Sequence, residues 1–173
     1  EDRKWQGRKS GPYQWFEIQD NTTYWEKFLD DKILSTKISS RPTFCVDKSR
    51  AMIANTAYLI DGKNTNNYLV ILLNSAVAFF YFRQTFLGKQ GGFYEVQPDG
   101  LGAFAIPRHG ATSVLNLLDF SSFPPNPALE QLLNALVYEL YFESDLHARG
   151  LHLFAAAEAA GLATLAGLEG EAL

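Results

Sequence analysis

Lys89 and Gln90 lie inside the segment LGKQGGFYEVQPDGLGAFAIPR, Leu87 to Arg108, with Gly88 before them and Gly91 and Gly92 after. Lysine brings a cation and glutamine a planar amide, and the glycines let the main chain approach a partner closely. A glutamine amide satisfies adenine bidentately and a lysine bonds guanine or phosphate, so this inventory suits a DNA groove. The other reading of the same residues is a solvated hairpin loop. Further basic and amide candidates fall in predicted turns and strand ends, where phosphate and base contacts arise. Lys37 and Arg41 flank a strand end, Lys63 and Asn64 open a polar turn, and Arg108 closes the loop segment. Among these seven, Gln90 is the expected base reader.

Other chemistry is poorly represented. No phosphate-binding Gly-x-x-x-x-Gly-Lys-Ser/Thr loop, dinucleotide Gly-x-Gly-x-x-Gly turn, Gly-x-Ser-x-Gly elbow or paired-carboxylate motif is present. No acid cluster suggests a magnesium-dependent nuclease. His109, His147 and His152 read as surface histidines, because His147 and His152 stand five residues apart and would diverge on one helix. The single cysteine, Cys45, excludes an intramolecular disulfide and a multi-cysteine zinc site, reads as a small strand residue, and suits a reducing, cytoplasmic setting. No catalytic or metal-binding residue is expected.

The 173 residues fit one domain with a short appendage, and 47% hydrophobic against 20% charged residues is a globular composition. The net charge of −4 conceals a division along the chain. Residues 32–110 carry nine Lys and Arg against four Asp and Glu, whereas residues 111–173 carry one against eight. A basic patch, rather than a basic whole, is what phosphate binding requires. The longest apolar run, Tyr68 to Phe82, contains Asn74 and Ser75 and is too short to span a bilayer, so no membrane partner is expected. The opening EDRKWQGRKSGPYQW shows neither an initiator methionine nor a signal pattern and reads as a piece of a longer polypeptide.

The elements expected to position these residues follow from periodicity. Residues 1–12 lack periodicity and read as a linker, residues 13–110 as the main folded domain, 111–126 as a connector and 127–173 as a helical segment. Tyr13–Gln19 reads as a short strand, followed by a helix capped by Asp20 or Asn21 with Tyr24, Trp25 and Phe28 on one face. Lys32–Ser39 alternates as a strand, and TFCVD and AMIANTAYLI form an antiparallel hairpin. From Asn67 to Phe86 the pattern predicts one buried helix, capped by Asn66 or Asn67 and ended by Gly88, in which Asn74 and Ser75 bond neighbouring backbone. GAFAIP is a predicted strand. Asn126-Pro127 starts a helix whose Leu129, Leu132, Leu133, Leu136, Val137, Leu140 and Tyr141 make a continuous stripe, and a last helix runs from about Asp145 to Ala160. The fold class is α+β: strands packed around a buried helix, with an amphipathic helical pair at the C-terminus.

The order YQWFEIQDNTTYWEKFLDDKILSTKISSRPTFCVD, NTAYLI, YLVILLNSAVAFFYF, a Gly-rich loop, FAIPR and LNALVYELYF resembles the TaqI-like C-terminal specificity domain. This target-recognition domain follows the catalytic domain of bacterial N6-adenine DNA methyltransferases and type IIG restriction-modification proteins. The resemblance covers Tyr13 to about Phe142. It implies a module that clasps duplex DNA opposite a methyltransferase domain and reads sequence through its loops, with S-adenosylmethionine bound upstream in the same parent chain. The Asn-Pro-Pro-Tyr/Phe motif that holds a flipped adenine in such proteins is absent, since PPNP at Pro124–Pro127 has another order. No catalytic residue is carried over. The competing reading from the residues alone is a protein-interaction module that docks a partner subunit through its C-terminal helices.

Overall fold

The computed structural model describes residues 10–14, 16–17, 23–62, 66–107 and 127–161. Lys63, Asn64, Arg108, His109 and the expected connector at 111–126 lie outside the described residues, as do the proposed caps Asp20, Asn21 and Asn126.

Two small antiparallel sheets share one continuous stretch of chain. β1 (Lys32–Thr36) is the centre of the first sheet, flanked by β3 (Phe44–Asp47) and β4 (Ala57–Ile60). Registers pair Ile33 with Val46 on one side and with Ile60 on the other. The expected hairpin between the β3 and β4 sequences is therefore corrected: each pairs with β1 instead of with the other. Ile33 is fully buried between them, and a central strand gains cross-strand partners on both edges where a hairpin gives one.

The expected single strand Lys32–Ser39 is interrupted at Lys37. Beyond it, β2 (Ile38–Ser39) joins β6 (Phe93–Glu95), which also pairs with β5 (Leu87–Lys89). Lys37 is the crossing point. Its N–H donates to the Thr56 carbonyl at 2.8 Å beside the first sheet, and its own carbonyl accepts from Val96 N–H at 2.9 Å beside the second.

The expected long helix is also divided. α1 (Asn67–Asn74) and α2 (Ala76–Thr85) meet at Ser75, whose ψ of 161° is extended. Ser75 Oγ accepts from Ala78 N–H, capping α2, and donates to the Leu72 carbonyl. Asn66 caps α1 through Leu69 N–H, as its sequence position suggests. Asn74 and Ser75 do bond backbone, but by breaking the helix rather than sitting within it. α2 ends at Thr85, and Gly88 belongs to β5.

Three further expectations change. Around Tyr13–Gln19 the described residues form a turn, with Glu17 N–H on the Gln14 carbonyl and Gln14 N–H on the Glu17 carboxylate, which removes the groups a strand ladder would use. The following helix is one 3₁₀ turn, Trp25–Phe28, in which only Phe28 is buried. The predicted strand GAFAIP instead follows α3 (Pro98–Gly102), where Ala103 and Phe104 N–H groups turn back to Asp99 and Leu101 carbonyls.

α4 (Pro127–His147) begins with proline at its first residue, as expected, and is kinked at Phe142. The last helix does not start at Asp145: α4 continues to His147, and α5 (Leu153–Ala159) follows a turn in which Gly150 takes φ 73°. Leu151 N–H reaches the Leu146 carbonyl across that turn, closing the helix end. His147 and His152 are thereby brought side by side, with ring centroids 4.3 Å apart, where an unbroken helix would have separated them.

α1 and α2 lie between the first sheet and α4. Leu72, Phe82, Leu136 and Val137 are essentially inaccessible, and Phe82 stacks on Phe86 with centroids 4.4 Å apart. The α+β class, the buried helical centre and the C-terminal helical pair agree with the sequence reading. No helix among the described residues is long and apolar enough to cross a membrane.

Candidate nucleic-acid interface

The second sheet gathers three of the four described basic and amide candidates, Lys37, Lys89 and Gln90. In the β5–β6 hairpin three residues, Gln90, Gly91 and Gly92, connect Lys89 to Phe93, its cross-strand partner. Gly91 and Gly92 have φ of 79° and 78°, which residues with a Cβ adopt only under strain, so the tight connection that projects exposed Gln90 depends on them.

Lys37 and Lys89 converge on one carboxylate. Lys89 Nζ lies 2.6 Å from Glu95 Oε2 and Lys37 Nζ 3.6 Å from Glu95 Oε1. Both arrive there through register, because β6 stands between β2 and β5 and places Glu95 opposite Leu87 and Ile38, each next to or near a lysine-bearing end. The Lys89 hydrogen bond, aided by the charge of both lysines, holds the Glu95 carboxyl below its ordinary range against a smaller opposing effect of burial. Lys37 also stands 5.9 Å from the Tyr58 ring centroid. The lysine side chains are 37% and 38% exposed, so their charge faces solvent as well as Glu95.

Arg41 has a different setting. One guanidinium nitrogen donates to Glu130 on α4 at 2.8 Å, another to the Asn74 carbonyl at 2.9 Å, and the group lies 5.7 Å from the Phe79 ring centroid. Phe79 meets Tyr94 of β6 edge-on at 6.1 Å. Arg41 thus ties the α1–α2 break to α4 beside the second sheet. Lys37, Lys89 and Gln90 are brought onto that sheet, while Lys63, Asn64 and Arg108 lie outside the described residues.

Two residues escaped the sequence reading. Glu95 appeared only as one of four acids in the basic middle, and nothing in its spacing reveals that it sits between two lysines contributed from 58 and 6 positions away. The sequence marks Asn74 as a backbone-bonding residue but gives no sign that it links two elements. Its side-chain oxygen accepts from Phe44 N–H at 2.9 Å and its nitrogen donates to the Phe44 carbonyl at 2.7 Å, docking α1 on β3.

Among curated proteins none matches the chain. A family model described as the TaqI-like C-terminal specificity domain matches residues 2–106, a span holding both sheets, α1–α3 and the Lys37–Glu95–Lys89 cluster. More than half of the chain falls within that match, and the chain belongs to the TaqI-like C-terminal specificity domain family.

Proposed function

We propose that this chain is the sequence-specific duplex-DNA recognition module of an N6-adenine DNA methyltransferase or type IIG restriction-modification enzyme. Family membership over residues 2–106 carries the reading, since a specificity domain implies DNA recognition in a restriction-modification setting. The second sheet is consistent with it: two partly exposed lysines approach Glu95 of the central strand from its two neighbours, and a glutamine occupies the hairpin tip.

In this reading Lys37 and Lys89 contact phosphate and fix the register of the module, and Gln90 reads a base edge in the groove. Lys63, Asn64 and Arg108 remain further candidates for DNA contact. Arg41, engaged by Glu130 and Asn74, acts by holding the frame and presents the rest of its guanidinium at the margin. The flipped adenine and S-adenosylmethionine belong to an upstream methyltransferase domain of the parent chain, which in the type IIG form also carries endonuclease activity.

The test is titration of a fluorescent duplex with the chain at increasing salt. Affinity is expected to fall linearly on a log–log plot, with a slope of about −0.9 per phosphate neutralised. Absence of binding at low salt by the folded chain would overturn the DNA reading. It would favour the second one, which rests on Tyr138 and Phe142, neighbouring aromatic rings of α4 that are 43% and 45% exposed and would suit a protein partner.

A further inference from the structure

Glu139, His147 and His152 meet at the junction of α4 and α5, outside the family-matched region. Glu139 and His147 lie eight residues apart on α4, and the left-handed Gly150 reverses the chain so that the His152 ring lies against His147, tilted by 41°. One ligand atom from each of the three side chains lies within 4.8 Å of the others. They line a cleft of about 230 Å³ with room for an ion and a coordinated water.

The carboxylate is already oriented. Glu139 is only 6% exposed, and its Oε2 accepts a 2.7 Å hydrogen bond from Phe154 N–H at the start of α5. This leaves Oε1 directed at His147 Nε2, 2.7 Å away. Glu143 Oε1 stands 4.0 Å from His147 Nδ1, near enough to take up an Nδ1–H hydrogen bond from a ligating imidazole after a small side-chain shift.

A Glu139–His147 hydrogen bond by itself accounts for those two residues. It does not account for a second imidazole placed against the first, whose ring nitrogens make no hydrogen bond among the described residues. Two imidazoles and one carboxylate are the donor set of three-residue zinc sites that keep a fourth position for water.

We propose that Glu139, His147 and His152 bind a divalent transition-metal ion of the zinc type, which clamps α5 onto α4. Tetrahedral ligation sets neighbouring donors about 3.3 Å apart, so Glu139 and His147 need to separate by only about half an ångström around the ion. The His152 side chain, exposed and beyond the turn, completes the set by rotation.

The experiment is calorimetric titration of the untagged 173-residue chain with zinc, paralleled by visible absorption with cobalt(II) and by melting temperature. One equivalent of zinc is expected to bind, with tetrahedral cobalt absorption and a raised melting temperature. His147→Gln and His152→Gln should each weaken zinc binding by about tenfold or more, given that even outer groups around a metal contribute that much. His152→Gln alters an exposed side chain, so its circular dichroism should match the parent and its loss of zinc binding reads on ligation. No heat and no melting shift with excess zinc would overturn the proposal, as would binding that both histidine variants leave unchanged.

Discussion

Lys32 and Asp47, directly opposite each other on β1 and β3, form an ion pair that is almost wholly removed from solvent. The ammonium also donates to the Phe28 carbonyl at 2.8 Å, so one buried cation joins the 3₁₀ turn to the first sheet. Burial by itself would raise the Asp47 carboxyl, but Lys32, the Ser49 hydroxyl and the N–H groups of Ser49 and Ala51 outweigh it and hold the group at about 2. The aspartate is thus ionised at neutral pH, and the pair sits within the sheet whose central strand leads into Lys37.

Because the folded value lies below the ordinary 3.8, this carboxylate contributes stability that is complete above pH 4 and is lost as pH falls toward 2. Its share is about 2 kcal/mol. Chemical denaturation as a function of pH should show that loss. In a Lys32→Met/Asp47→Leu double variant the share should vanish from the acid limb while neutral-pH stability stays within about 2 kcal/mol or rises, whereas Asp47→Ala, which strands a buried ammonium, should cost about 3 to 5 kcal/mol.

Lys37 and Lys89 should act on DNA affinity rather than on selectivity. Lys37→Ala and Lys89→Ala are expected to weaken binding to all duplexes alike and each to reduce the magnitude of the salt slope by about 1. Fluorescence anisotropy over a salt series measures this. An unchanged slope in the double variant would remove these lysines from the phosphate interface.

Glu95 holds both lysines in the free protein and would repel a phosphate placed between them. Glu95→Gln should therefore raise affinity for random duplex several-fold at low salt, with the gain shrinking as salt rises. Discrimination between target and random duplex should fall, because the added affinity carries no sequence information. Competition binding with the two duplexes reports both effects.

Gln90 is expected to behave oppositely. Gln90→Ala should leave binding to random duplex nearly unchanged and cost about 1 to 3 kcal/mol of discrimination at one base pair of the target. A panel of singly substituted target duplexes locates that pair. Uniform loss over the panel would mean that Gln90 positions the hairpin without reading a base.

Asn74→Ala removes both hydrogen bonds to Phe44 and leaves a buried N–H and carbonyl without partners, so the expected cost is about 2 to 4 kcal/mol, read as a shifted denaturation midpoint. DNA affinity of the folded fraction should be little changed, since the residue bonds β3 of the first sheet and not the second sheet that carries Lys89 and Gln90.

What the residues determined by themselves was local. The stripe from Leu129 to Tyr141 specified α4, the proline at position 127 its start, Asn66 the start of α1, and the β-branched Lys32–Ser39 run its extended backbone. Each depends on side chains within one or two turns, where spacing and capping chemistry act directly. Motif order carried the family as well. The tertiary structure decided how those pieces meet. Partner choice for β1 lies in its registers with β3 and β4, the change of sheet at Lys37 in the hydrogen bond its carbonyl accepts from Val96, and the break at Ser75 in the bonds of Asn74 to Phe44 and of Ala76 N–H to the Asn134 side-chain oxygen, all between residues far apart in sequence. The meeting of Lys37 with Lys89 at Glu95, and of His147 with His152 beside Glu139, has the same cause. A sheet register and a left-handed glycine set those distances, and a linear pattern carries no record of either.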